Sequence, residues 1–310
     1  MAPTPRHLLT LEEFSPKELS ALLALAAKMK RTPAKYRKAL DGQCLAMIFD
    51  KSSTRTRVSF DVGMTQLGGK ALLLNGGEMQ LGRGEPISDT AKVLSRYVQG
   101  IMIRTFAHSM VEKLAEYASV PVINGLTDSH HPCQVLADLQ TILESFKKLK
   151  GLQLVYVGDG NNMAHSLMIG AAKTGMHCRI VCPGNYQPDV AILKSAQAEG
   201  KKTGSRIEVT REVRGSVRGA DVVYTDVWTS MGQEAEKNKR LEDFRGFEVD
   251  EKLMAESPKA IFLHCLPAHR GEEVSAGVID GKRSRVWDQA ENRLHAQKAL
   301  LVTLMGDKKN

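Results

Sequence analysis

Short apolar runs alternate with amphipathic stretches along almost the whole chain, and that alternation leaves few folds open. Residues 6–31 read as an amphipathic helix after a short lead, with Ser15-Pro16 as N-cap and first-turn proline and a stripe at Leu19, Leu22, Leu23 and Ala26. Strand-like runs follow at 44–49, 70–74, 101–103 and 120–123, each leading into a helical pattern, the last over 132–148 with Pro132 in its first turn. The basic stretch Lys147-Lys148-Leu149-Lys150-Gly151 marks a boundary, after which a strand at 153–157, a helix from 162, a strand at 179–182 and a helix at 188–198 repeat the theme. Strands at 207–209, 221–225, 260–263 and 284–287 precede a last helix, and 230–247, with charges of both signs, reads as a mobile loop and partner helix. The pattern predicts two doubly wound α/β domains, each a central parallel β-sheet flanked by helices, with the active site in the cleft between them. The boundaries fall at 1–148 and 149–289, leaving 290–310 as a helix expected to pack back on the first domain. A length of 310 residues agrees with two domains of about 150 each.

Composition narrows the class of protein. No apolar run reaches the ~18–20 residues that span a bilayer, and the N-terminus Met1-Ala2-Pro3-Thr4-Pro5-Arg6-His7 lacks a signal-peptide core, so a cytoplasmic protein is expected. The net charge of +8 is scattered rather than gathered in runs, and aromatics make up only 5%, so no nucleic-acid partner is expected. An anionic small substrate accounts for a basic balance equally well. The five cysteines have neither disulfide-framework nor zinc spacing, and Cys178 and Cys182 lie in a buried-looking strand. No metal is expected. Cys265 follows His264 directly, and adjacent strand residues should point oppositely, which argues against their sharing an ion.

Open parallel sheets bind ligands beyond the carboxyl ends of their strands. Lys51-Ser52-Ser53-Thr54-Arg55-Thr56-Arg57 follows the first strand and opens a helix, where free backbone N–H groups, hydroxyls and a two-pronged guanidinium suit a phosphate. Arg104-Thr105 follows the third strand. His131-Pro132-Cys133-Gln134 opens a helix after the fourth, where the helix dipole disfavours protonation of the imidazole. Gly158-Asp159-Gly160-Asn161-Asn162-Met163 has the position of a dinucleotide fingerprint but lacks its third glycine and its downstream acid, so a nicotinamide cofactor is not expected. The remaining tips are Asp226-Val227-Trp228-Thr229-Ser230-Met231-Gly232 and His264-Cys265-Leu266-Pro267. His165, His177, His269 and His295 carry no spacing signal and read as structural or surface residues.

Taken together, these motifs resemble the aspartate/ornithine carbamoyltransferase family over essentially the whole chain. Ser53 to Arg57 and His131-Pro132-Cys133-Gln134 are similar to the elements that the family uses for carbamoyl phosphate; Asp226 with Ser230-Met231-Gly232, and His264-Cys265-Leu266-Pro267, are similar to those of its ornithine-using branch. The resemblance implies donor binding in the first domain by Ser53, Thr54, Arg55, Thr56, Arg104, His131, Gln134 and Arg293, with Cys265 and Leu266 around the carbamoyl group. It implies ornithine binding in the second domain by Asn162, Asp226, Ser230 and Met231, and Arg104, His131 and Cys265 as the catalytic groups. Gln80, in a loop that in relatives reaches a neighbouring subunit's site, is implied as a further carbamoyl-phosphate-binding residue and implies a homotrimer. No cofactor is implied. Independently of the resemblance, the acidic tip at Asp226 and the cation-free segment Ser230-Met231-Gly232-Gln233-Glu234 favour an acceptor with an ammonium over one with two carboxylates. Another transcarbamoylase, or a non-catalytic binding subunit on the same fold, is the alternative.

Overall fold

The computed structural model describes residues 5–79 and 84–306. Two compact units emerge, Met1–Ala137 together with Asn292–Asn310, and Asp138–Glu291.

In the first unit α1 (Pro16–Arg31) starts at the expected Ser15-Pro16 cap rather than near residue 6. Ser15 caps it and forms a reciprocal capping box with Glu18, and Leu19, Leu22, Leu23, Ala26 and Met29 are buried. The lead before it is not helical. Leu8 N–H donates to Val122 O at 2.9 Å and Leu8 O accepts from Asn124 N–H at 2.8 Å, so the segment extends along the sheet edge. The sheet is built by β1 (Cys44–Phe49), β2 (Lys70–Asn75), β3 (Gly100–Arg104) and β4 (Val122–Leu126) in the order β2-β1-β3-β4, all parallel. Helices α2 (Thr54–Gln66), α3 (Ile87–Leu94), α4 (His108–Tyr117) and α5 (Pro132–Phe146) connect and follow the strands. Ala46, Ile48, Ile101 and Ile103 pack on Ala91, Val111 and Leu114 to form one core layer.

The second unit holds β5 (Gln153–Val157), α6 (Asn162–Thr174), β6 (His177–Val181), α7 (Val190–Thr203), β7 (Ile207–Thr210), β8 (Val222–Thr225), α8 (Lys237–Asp243), α9 (Glu251–Ala255), β9 (Ile261–His264) and α10 (Ala276–Ile279). Its five strands run parallel in the order β7-β6-β5-β8-β9. Val155, Val157, Val223 and Phe262 form the core with Val217, Val249, Leu253 and Ile279. The last helix, α11, runs from Val286 to Met305. The strand expected at 284–287 is therefore absent; Ser284 makes one isolated bridge to Phe262, and Val286 already opens the helix. A short apolar run does not by itself distinguish a strand from the start of a buried helix. Doubly wound α/β architecture is thus present in both units. Among the described residues, no helix is long and apolar enough to cross a membrane.

Candidate active site

In each sheet the strand order reverses at one place, and neighbouring tips there lead away to opposite sides, which leaves room for a ligand. In the first unit the reversal lies between β1 and β3. Phe49 pairs with Arg104 across it, and the register on the β4 side shifts between Ile103 and Arg104, a local irregularity at the strand end that carries the arginine. β1 leads into the cap of α2, where the Ser53 hydroxyl accepts from Thr56 N–H at 3.2 Å. The first-turn N–H groups of a helix have no intrahelical acceptor and carry its positive dipole end.

Arg293, Thr56, Gln134 and His131 gather beside this helix start, and all four are buried. Arg293 donates to Gln134 Oε1 at 2.7 Å and to Thr56 Oγ1 at 3.2 Å. Burial, reinforced by the positive charges of Arg293, Arg104 and Arg55, holds the His131 imidazole well below its ordinary pKa. A neutral imidazole among three guanidiniums can donate to a carbonyl oxygen, and the guanidiniums suit a phosphate dianion. Ser53 and Arg55 are half-buried and Thr54 is exposed. Gln80 lies outside the described residues.

In the second unit the reversal lies between β5 and β8. Asn161 caps α6, accepting from Met163 N–H at 3.0 Å, and sets Asn162 at the helix start. Thr225 of β8 pairs with His264 of β9, so Asp226 and Cys265 leave their strands side by side. The Cys265 thiol donates to Asp226 Oδ1 at 2.9 Å, and Val227 N–H donates to the same oxygen at 2.8 Å. Burial raises the Asp226 carboxyl above its ordinary value, against the opposing influence of His264, the Cys265 thiol and the Val227 amide. Such a carboxylate lacks its full solvation and gains from a cation placed beside it. Ser230 and Met231 sit in a tight turn held by Gln233, with Met231 exposed. Leu266 is half-buried and takes a left-handed backbone conformation at φ +60.

Sequence reasoning missed what supports this corner. His264 Nδ1 accepts from Leu266 N–H at 2.8 Å, which leaves Nε2 to carry a proton 3.2 Å from Glu273 Oε1. His264 and Glu273 side chains are fully buried, and Glu273 Oε1 also accepts from His269 N–H at 2.5 Å. Glu273 thereby orients the ring that fixes Leu266, and nothing in its polar local sequence marked it. A second missed pair is Arg240 and Asp159, joined at 2.7 Å, with Arg240 also bonded to Trp228 O at 2.9 Å. This pair ties α8 to the tips of β5 and β8.

The expectation that His264 and Cys265 diverge is overturned. The chain turns out of the strand at His264, and donor atoms of Asp226, His264 and Cys265 lie within 4.8 Å of one another, a set that could hold a metal ion. His269, Glu272 and Glu273 form a second such group. Cys178 and Cys182 are buried in the core as expected, and burial pushes the Cys178 thiol up to about 12. His165 is structural, its Nε2 accepting from Asp189 N–H at 2.9 Å.

Of the two doubly wound units, one thus carries a cationic strand-tip cluster and the other a buried carboxylate beside a half-buried thiol. The chain belongs to the aspartate/ornithine carbamoyltransferase family: residues 6–144 match its carbamoyl-P binding domain and residues 150–304 its Asp/Orn binding domain. It is 57% identical to the ornithine carbamoyltransferase of Anoxybacillus flavithermus over 303 residues, 97% of this chain and 96% of that one. Among solved structures, ornithine carbamoyltransferase from Pyrococcus furiosus superposes with a TM-score of 0.95 at 51% identity, covering all of both chains. The anabolic ornithine carbamoyltransferase from Campylobacter jejuni gives 0.91 at 40% identity, covering 96% of this chain and 98% of that one.

Proposed function

We propose that this enzyme transfers the carbamoyl group of carbamoyl phosphate to the δ-amine of L-ornithine, giving L-citrulline and phosphate. The first unit serves as the carbamoyl-phosphate domain and the second as the ornithine domain. The Asp226–Cys265 pair carries the acceptor assignment, since a buried carboxylate at a strand tip suits an α-ammonium and the thiol beside it can exchange a proton.

Arg55, Thr56, Arg104 and Arg293 hold the donor phosphate, with Ser53 and Thr54 adding hydroxyls and helix-start amides. His131, Arg104 and Thr56 stabilise the carbonyl oxygen as charge develops on it, a contribution that is commonly the largest in such reactions. Gln134 meets the carbamoyl amide, and Leu266 lies against the same group. Asn162, Asp226, Ser230 and Met231 hold the amino-acid end of ornithine. The neutral δ-amine attacks the carbonyl carbon, a C–N bond forms, and collapse of the tetrahedral species breaks the C–O bond to phosphate. Phosphate leaves with that electron pair, and the amine proton passes by way of the Cys265 thiol to the departing phosphate. The leaving group is already activated, so the step calls on no metal or organic cofactor.

The reading extends to a cytoplasmic homotrimer acting in arginine biosynthesis, with Gln80 reaching a neighbouring site. Self-association is supported by Val58 and Val62 on α2 and by Leu72 and Leu73 on the edge strand β2, which are exposed apolar residues of the first unit. The biosynthetic direction is supported by the anabolic relative from Campylobacter jejuni. The test offers carbamoyl phosphate with ornithine, N-acetylornithine, putrescine and aspartate in parallel and scores each carbamoylated product. Ornithine should be preferred strongly. Turnover of another acceptor would overturn the Asp226 assignment, and no turnover of any would return the chain to a binding role.

A further inference from the structure

Three strand-tip loops of the first unit carry the donor residues, and one buried lysine joins all three. Lys51 follows β1 and stands two residues before Ser53. Its side chain is only 5% exposed, although lysine ordinarily keeps its ammonium in water. The ammonium pairs with the Asp128 carboxylate, three residues before His131, and lies 4.2 Å from the centroid of the Phe106 ring, two residues after Arg104. Backbone bonds run along the same seam. Asp50 N–H donates to Arg104 O at 2.9 Å, Thr105 N–H to Leu126 O at 3.0 Å, and Asp128 N–H to Phe106 O at 2.9 Å. His130 N–H donates to Thr127 Oγ1 at 3.1 Å and Thr127 N–H to His130 O at 2.8 Å, which turns the third loop back toward its helix.

We propose that Lys51, Asp128 and Phe106 form a clasp of positioning residues that holds the Ser53–Thr56 segment, Arg104 and His131 in register for the donor. This rests on the donor reading given above. Each clasp residue stands two or three positions from a donor-site residue, so a shift of the clasp moves the donor contacts directly. A cation held by both a carboxylate and an aromatic face has a fixed place, and the ring adds attraction in a desolvated setting. Misplacement of binding groups by about 1 Å can cost as much as 10²-fold, so a tie between loops has leverage on the donor. The clasp lies wholly within the first unit, and its loss leaves the Asp226–Cys265 corner in place.

The test compares Asp128→Asn, Lys51→Met and the double variant with the wild-type enzyme in citrulline formation, measuring the donor KM, the ornithine KM at saturating donor, and inhibition by inorganic phosphate. Asp128 is more than half exposed, so Asp128→Asn should raise the donor KM and weaken phosphate inhibition by about three- to fivefold. Lys51→Met should raise the donor KM on the order of tenfold, as three loops lose their common tie. The double variant should be no worse than Lys51→Met, because both changes open the same clasp. Lys51→Arg should restore part of the loss, and the ornithine KM should stay within about twofold, since no clasp residue belongs to the acceptor side. The clasp is refuted if Asp128→Asn keeps the wild-type donor KM while Lys51→Met loses it, the result expected of a lysine that touches the phosphate itself. Equal shifts in both KM values would refute it too. A wild-type enzyme that makes no citrulline would defeat the donor reading instead, so the two failures are distinct.

Discussion

Asp226→Asn separates the charge of the acceptor seat from its shape. The substitution keeps an oxygen at Oδ1 to accept from Val227 N–H at 2.8 Å and from the Cys265 thiol at 2.9 Å, so the corner should fold as before. What disappears is the negative charge offered to the ammonium of ornithine. A hydrogen bond to a charged group is worth about 1.5–3 kcal/mol. At ~1.4 kcal/mol per tenfold, kcat/KM for ornithine should fall by about 10- to 150-fold. The donor KM should remain within about twofold, since Asp226 lies outside the cationic cluster of the first unit. Stability should move the other way. Burial places the folded carboxyl above its unfolded value, so the wild-type fold loses stability as pH rises from about 3.9 through the folded value. Asparagine abolishes that loss, and the melting temperature at pH 7.5 should be equal to or above the wild type's. Steady-state citrulline kinetics with each substrate varied, together with thermal melts, read both effects. Equal losses for donor and acceptor, or a marked fall in melting temperature, would refute the reasoning.

Three further outcomes are expected. Arg55→Ala should raise the donor KM by about 10–100-fold through loss of a charge-assisted phosphate contact, and unchanged steady-state kinetics would reject the phosphate seat. The His131 imidazole is held well below its ordinary pKa, so the fold is fully stable above the unfolded value near 6.5 and loses stability as pH falls below it. Urea unfolding of wild type should therefore lose about 1.4 kcal/mol more than His131→Gln between pH 7.5 and 5.5; matching slopes would mean the imidazole is not held neutral. Cys265→Ala should depress turnover while sparing the donor KM, and full activity across the pH profile would remove the thiol from proton transfer.

Much of the architecture was legible in the order of residues. Apolar runs of four to six residues between amphipathic stretches require parallel strands with helical crossovers, because only that arrangement buries both faces of such runs. Ser15 with Pro16 and Glu18 specifies the start of α1 locally, through bonds that reach only three residues. The apolar lead before it could not be read the same way, since its hydrogen bonds go to Val122 and Asn124, more than a hundred positions away. The tips that carry Ser53 to Thr56, Arg104, His131, Asp226 and Cys265 were legible for a similar reason: a parallel sheet exposes polar chemistry only where its strands end.

Which of those tips meet was not written in any local stretch. Strand order decides it, because β3 returns beside β1 and β8 beside β5, and register then sets Asp226 next to Cys265. The convergence of His264 with Cys265 contradicted strand alternation because alternation stops where the chain turns, and Leu266 turns it at φ +60. Glu273, Arg240 and Asp128 had no signature at all. A charged side chain in a polar segment looks the same in sequence whether it faces water or a buried partner, and the difference lies in a neighbour brought in from elsewhere in the chain. Sequence by itself thus determined most of the elements, the sheet class and the residue types at each tip, all set by local periodicity and capping. Only the tertiary structure decided the pairings that give those residues their charge states and fixed positions, because electrostatics and burial act through space.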